Sequence, residues 1–131
     1  MKPIADTGLL VGFLDASDQY HSWAKGCFDE LSSALTTCEA VIAETEYLAP
    51  GSGPLLMEMV ERGTLQVMAL LPKETSHLAA MMKKYPDMQF ADACVVRLSE
   101  LLPNAVVYTT DKKDFSVYRR RKPETITTVT P

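Results

Sequence analysis

The sequence predicts an α/β fold: a mainly parallel central sheet covered by helices on both faces, a three-layer α/β/α sandwich. Two observations carry this. Short β-rich runs alternate with longer amphipathic segments, or with pairs of them, as crossover-connected parallel strands require. Two of those runs, the one over Lys2–Ala5 and "AVVYTT", end directly in an acid, Asp6 and Asp111. In an open α/β sheet the crevice outside the carboxyl ends of the strands is where ligands bind. No internal repeat or low-complexity segment interrupts the alternation, so residues 1–131 read as a single domain with one core.

Element by element, Lys2–Ala5 enters the sheet, Asp6-Thr7-Gly8 ends the strand, and Leu9–Leu14 begins a new apolar segment. In "QYHSWAKGCFDEL", Tyr20, Trp23, Ala24, Cys27, Phe28 and Leu31 fall on one helical face, with Asp18 as N-cap. "SALTTCEAVIAETEYLA" reads as a short strand ending near Thr36, then a helix capped by Thr37. After a Gly/Ser/Pro break, "GSGPLLMEMVERG" places Leu55, Leu56, Met59 and Val60 on one face. "TLQVMALL" reads as a buried strand, and "KETSHLAAMMKKY" as a helix with a stripe of Leu78, Met81, Met82 and Tyr85. "QFADACVVRLSELLP" is a helix stopped by Pro103, "NAVVYTTD" a strand, and "ETITTVT" a terminal strand.

The composition, 47% hydrophobic and 23% charged, is that of an ordinary globular chain. No apolar run reaches the roughly 18 residues of a membrane span, and the N-terminus lacks the basic and apolar regions of a secretory signal. Cys27, Cys38 and Cys94 form an odd, scattered set without a C-x-x-C pair. That argues against a disulfide framework or zinc knuckle and fits a reducing cytoplasm. A net charge of −4 gives no global attraction for nucleic acid, so any RNA contact rests on local basic clusters.

The acids need a reason. Parallel strands put Asp6 and Asp111 at one sheet edge. Glu44 has Ala40, Tyr47 and Leu48 as helical neighbours, a face read as inward, whereas Glu39 and Glu46 suit solvent. Asp92 lies in the first turn of its helix, where the macrodipole favours an anion, with Val95 and Val96 beside it. Each acid alone is equally readable as a turn residue, a cap or a solvated glutamate. Together they are expensive, since unit charges ~4 Å apart repel by about 4 kcal/mol at an effective dielectric near 20. A cation relieves that repulsion, and hard oxygen donors suit Mg²⁺ or Mn²⁺. Such a site suits metal-assisted phosphodiester hydrolysis. A metal-free ribonuclease uses histidines as acid and base, and His21 and His77 read as surface or packing residues.

"ADTGLLVGFLDASDQYHSWA", "LTTCEAVIAETEYL", "FADACVVRLSE" and "YTTDKKDFSVYR" resemble the successive signatures of PIN-domain ribonucleases, and most of all VapC-type toxins of prokaryotic toxin–antitoxin pairs. The resemblance covers nearly the whole chain and is least distinctive over residues 50–80. It implies a Rossmann-like sandwich and an Mg²⁺- or Mn²⁺-dependent endoribonuclease with Asp6, Glu44, Asp92 and Asp111 as its acidic site. Thr7 and Thr110 fall where hydroxyls line the family's pocket, and Asp87 and Asp114 are further candidates for pocket or structural roles. Glu39 and Glu46 depart from the commonest pattern by adding acid to the Glu44 helix. The resemblance also implies a homodimer and an antitoxin whose tail occludes the pocket.

"YRRRKP" supplies the densest basic stretch, with Arg119, Arg120 and Arg121 as candidates to hold RNA phosphates; a solvated edge explains it equally well. Single-stranded or loop RNA suits a narrow acidic pocket. Met57 and Met59 read either as core or as a docking surface for a partner peptide. Two rivals stand beside the nuclease: a non-catalytic binding module of the same fold, and a phosphotransferase forming an aspartyl-phosphate. The second wants an Asp two residues after Asp6, where Gly8 stands.

Overall fold

The computed structural model describes residues 1–121 and 123–131. Its strands are β1 (Lys2–Ala5), β2 (Leu35–Thr37), β3 (Leu65–Val67), β4 (Ala105–Tyr108) and β5 (Thr128–Val129). The helices are α1 (Thr7–Leu14), α2 (His21–Glu30), α3 (Glu39–Leu48), α4 (Gly53–Glu61), α5 (Thr75–Lys84), α6 (Phe90–Leu101) and α7 (Lys112–Val117). The five strands form one sheet in the order β3-β2-β1-β4-β5, every pair parallel. Helices flank it as the predicted α/β/α sandwich requires.

The chain builds outward from β1 through β2 to β3, then returns to the other side of β1 with β4 and β5. The strand order therefore reverses between β1 and β4. That is the switch point of an open α/β sheet, where the loops leaving adjacent strands diverge and open a crevice. Ile4 pairs with Val107 and Ala5 with Tyr108, and Asp6 N–H still donates to Tyr108 O at 3.0 Å. Residues 6 and 109 consequently leave the sheet side by side.

The core is apolar and centred on β1, β4 and α6, with Ile4, Leu9, Leu10, Val95, Val96, Leu98 and Val107 fully buried. In α6 every residue from Ala93 to Ser99 is buried, which explains why "ACVVRLS" shows no polar stripe. Arg97 lies within that helix, its guanidinium neutralised by Glu74 at 2.7 Å and Glu100 at 3.1 Å. A buried arginine is tolerable only with such partners.

Several boundaries differ from the sequence reading. Thr37 is the last residue of β2 rather than a cap, and its buried hydroxyl donates to Ala5 O at 3.0 Å, tying β2 to β1. Asp18 accepts Tyr20 N–H at 3.0 Å in a turn just ahead of α2, whose N-cap position is Tyr20. Only Leu65–Val67 of "TLQVMALL" is strand. On α4, Leu56 is buried whereas Leu55 and Met57 are about half exposed, so Met57 is no part of the core. The single-turn-and-a-half helix α7 follows directly from Asp111, whose side chain accepts Asp114 N–H at 3.0 Å. The terminal strand joins β4 in parallel. No helix among the described residues is long and apolar enough to cross a membrane.

Candidate active site

Asp6 occupies the position between β1 and α1 and is 6% exposed. Thr109, one residue past β4, donates its hydroxyl to Asp6 Oδ2 at 2.6 Å. The parallel register makes them neighbours, so a fully buried threonine meets a buried carboxylate. The same oxygen of Thr109 accepts Asp111 N–H at 2.9 Å. One hydroxyl thus links the acid after β1 to the loop that presents the acid after β4. Burial pushes the Asp6 carboxyl up to about 6, against the hydrogen bonds from Thr109 and from the Thr7 backbone. The charges of Asp92 and Glu44 add to the rise.

Asp92 sits at the third position of α6 and takes part in a capping box with Gln89, whose N–H reaches Asp92 Oδ2 at 3.4 Å. The same oxygen accepts the Tyr118 hydroxyl at 3.1 Å. Asp92 is therefore both a cap and a cavity residue. Burial holds its carboxyl above the usual range, opposed by the Gln89 and Tyr118 bonds and reinforced by Asp111 and Glu44. Glu44 reaches the cavity from a half-buried position on α3. Its face is not the inward one that the spacing implied: Tyr47 is 80% exposed, and α3 packs through Val41 and Thr45. Glu44 instead stands with Leu48 at the rim.

All four acids, Asp6, Glu44, Asp92 and Asp111, line one cavity of about 330 Å³, together with Thr7, Thr110 and Asp18. None of them takes part in a salt bridge among the described residues. The buried hydroxyl of Thr7 has no hydrogen-bond partner there either. Unneutralised carboxylates and an orphaned hydroxyl are a donor set suited to a hard divalent cation and its waters. Anchoring bonds fall on one oxygen of each of three acids: Asp6 Oδ2 from Thr109, Asp92 Oδ2 from Tyr118 and Asp111 Oδ1 from the Asp114 backbone. Yet among the described residues no three His, Cys, Asp or Glu side chains close on a common point as a ready-made cage. The acids surround the cavity rather than fill it. This is an open site, which fits Mg²⁺ or Mn²⁺ held through one or two carboxylates with water completing the shell.

Gly8 shows how tightly the site is built. A Cβ added there would lie 1.9 Å from Thr110 Oγ1, so no side chain fits while Thr110 keeps its place. Gly8→Ala is expected to destabilise the fold by about 1–3 kcal/mol, the usual range for overpacking, measured by urea unfolding. It should also cost activity, because Thr110 must swing out of the cavity.

Other sequence-predicted residues lie elsewhere or are occupied. Asp87 is exposed and does not line the cavity; the chain between α5 and α6 carries it away. Asp114 supports Asp111, and the hydrogen bond between their side chains holds its carboxyl up. Arg119 is not free for phosphate: its Nη1 caps the carbonyls of Ser116, Val117 and Tyr118 at 2.6–3.0 Å. Arg120 pairs with Glu124 at 3.0 Å, and Arg121 N–H donates to Glu100. The next residue of the basic stretch, Lys122, lies outside the described residues. His21 is a packing residue, its Nδ1 2.7 Å from Gly12 O. Glu39 and Glu46 are exposed as expected. Sequence reasoning missed Thr109, Tyr118 and Asp18. The pairing of Asp6 with Thr109 was available in principle from strand register, whereas nothing in the spacing connects Tyr118 with Asp92.

No protein-family model matches the chain. Among curated proteins it is 27% identical over 123 residues to ribonuclease VapC26 of Mycobacterium tuberculosis, covering 88% of this chain and 91% of that protein. Among solved structures it matches VapC20 of Mycobacterium tuberculosis, a toxin that cleaves the sarcin–ricin loop, with a TM-score of 0.73 at 15% identity. That match covers 86% of this chain and 92% of VapC20 and concerns the fold. The chain is thus similar in sequence to one VapC ribonuclease and in fold to a VapC toxin. Both likenesses extend over most of the chain rather than over one motif.

Proposed function

We propose that this VapC-type chain is a divalent-metal-dependent endoribonuclease, the toxin of a toxin–antitoxin pair. The observation that carries the reading is the set of four carboxylates around one cavity at the switch point, with no cationic side chain paired to any of them among the described residues. The ribonuclease name of VapC26 and the RNA-cleaving activity of VapC20 agree with it. A binding module of the same fold has no need to bury Asp6 against its own solvation.

In this reading Asp6, Asp92 and Asp111 hold Mg²⁺ or Mn²⁺, with Glu44 at the rim. The ion supplies an activated water and a counter-charge for the attacked phosphate. The chain's residues do the rest. Thr109 fixes Asp6 and the Asp111 loop relative to one another, Thr7 and Thr110 offer hydroxyls to water or phosphate oxygens, and Glu44 receives a proton or orients water at the cavity mouth. RNA phosphates beyond the scissile one fall to the exposed lysines Lys112 and Lys113 and to Arg121, since Arg119 and Arg120 are committed. The substrate is unpaired RNA in the cytoplasm, the partner an antitoxin protein, and the assembly a homodimer.

Purified protein mixed with an RNA pool is expected to cut with Mg²⁺ or Mn²⁺, to stop on chelation, and to leave 5′-phosphate ends. Cleavage that survives exhaustive EDTA, or 2′,3′-cyclic phosphate ends showing attack by the ribose hydroxyl, would overturn the reading.

A further inference from the structure

Asp92 is held from outside the acidic cluster by a single phenol. We infer that Tyr118 is a positioning residue of the site and that α7 is the strut that carries it. The inference rests on the metal reading above. Helix α7 begins at Asp111, its N-cap, and ends at Tyr118, its C-cap. Tyr118 reaches across to donate its hydroxyl to Asp92 Oδ2 at 3.1 Å. One short helix therefore sets two cavity acids in fixed relation.

The strut is braced at its far end. The Tyr118 ring is 4% exposed and sits edge-on to Tyr85 and Phe115, with centroids 5.2 and 5.3 Å away. Tyr85 in turn accepts Arg119 N–H at 3.0 Å, and the Arg119 guanidinium closes the carbonyl end of α7. The hydroxyl consequently has little freedom to point elsewhere. On Asp92 the competing Gln89 bond is long, at 3.4 Å, so the phenol is the stronger anchor of that carboxylate. Both bonds fall on Oδ2, which leaves Oδ1 engaged by neither, on a residue that lines the cavity. Without the phenol, repulsion from Asp111 and Glu44 would drive the carboxylate from that orientation. Hydrogen bonds to ligating carboxylates commonly matter in this way.

The test uses Tyr118→Phe in the full chain, compared with Tyr85→Phe, which removes the brace on Arg119 N–H but keeps the phenol on Asp92. Mn²⁺ binding is followed by titration calorimetry without RNA. Tyr118→Phe is expected to weaken Mn²⁺ about tenfold, to lower kcat similarly, and to leave KM for RNA within about twofold. Tyr85→Phe, which loosens the brace and keeps the phenol on Asp92, should cause a clearly smaller loss of both. In an Asp92→Ala background the Tyr118→Phe change should have no further effect, because it acts only through that carboxylate. Wild-type affinity and kcat in Tyr118→Phe would overturn the inference alone. So would a loss equal to that of Tyr85→Phe, an undiminished loss in the Asp92→Ala background, or a Tyr118→Phe chain that circular dichroism shows to be unfolded. A wild type that binds no Mn²⁺ would overturn the metal reading and this inference with it.

Discussion

Asp6→Asn is expected to make the metal-free protein more stable at pH 8 while reducing Mn²⁺-dependent RNA cleavage by more than the roughly 100-fold that loss of an outer partner can cost. The change removes a charge but little volume, and the amide oxygen still accepts from Thr109. The sign follows from the direction of the shift. The Asp6 carboxyl moves from an ordinary 3.8 to about 6 on folding. Between those values the folded chain keeps a proton that the unfolded chain has released. Stability is therefore lost as pH rises through that window, and the loss is complete above about 6. A displacement of this size corresponds to about 3 kcal/mol. The variant should gain up to roughly 10 °C in melting temperature at pH 8, with the difference vanishing below about pH 4. Mn²⁺ should stabilise the wild type and scarcely the variant, since binding to the native state stabilises according to affinity. Thermal melts across pH, with and without Mn²⁺, check each part. A variant less stable than wild type at pH 8, with cleavage intact, would make Asp6 a helix-start residue and nothing more.

Asp92 is the less clean place for the same experiment. Its carboxylate caps α6 through Gln89 and holds the Tyr118 hydroxyl. Relief of repulsion and loss of these bonds pull the stability of Asp92→Asn in opposite directions. Asp6, by contrast, has the Thr7 backbone beside it but forms no capping box, and its amide analogue keeps the bond from Thr109.

The sheet and the four acids were legible because they follow local rules: β-rich runs end in acids, and parallel strands bring those ends together. What was not legible depends on tertiary register or on chain reversal. The inward face assigned to Glu44 used helical spacing alone. That gives a stripe but not which stripe meets the core, and the core took Val41 and Thr45. Thr37 looked like a cap because threonine before a helix often is one; β2 ran one residue further and used the hydroxyl across to β1. The arginine cluster looked like a phosphate patch because charge density is visible in a sequence and hydrogen-bond commitments are not. Arg119 turned back onto its own helix end, where a cation meets unsatisfied carbonyls. Thr109 was passed over for Thr110, its neighbour, which lines the cavity, whereas the hydroxyl bonded to Asp6 is that of Thr109. Alternation alone could not tell which of the two hydroxyls faced Asp6.

Thr109→Val isolates that hydroxyl. Valine keeps the shape and burial of threonine and removes both hydrogen bonds, the donation to Asp6 Oδ2 and the acceptance from Asp111 N–H. At neutral pH the metal-free variant is expected to lose about 2–4 kcal/mol, the sum of one charge-assisted bond and one backbone donor left without its partner. The Asp6 carboxyl, deprived of its best donor, should titrate above the value of about 6 that it has with Thr109 in place. The stability deficit should accordingly shrink as pH falls and Asp6 takes up its proton. Activity should fall by about 10- to 100-fold, with the acid limb of the pH profile moving to higher pH. Thr109→Ser restores the hydroxyl without the methyl group and should recover most of the activity despite its own modest loss of packing. If Thr109→Val matched wild type in cleavage, or if Thr109→Ser were no better than Thr109→Val, the threonine would be a packing residue. Asp6 and the Asp111 loop would then be positioned independently, and the switch point would hold its acids by backbone geometry alone.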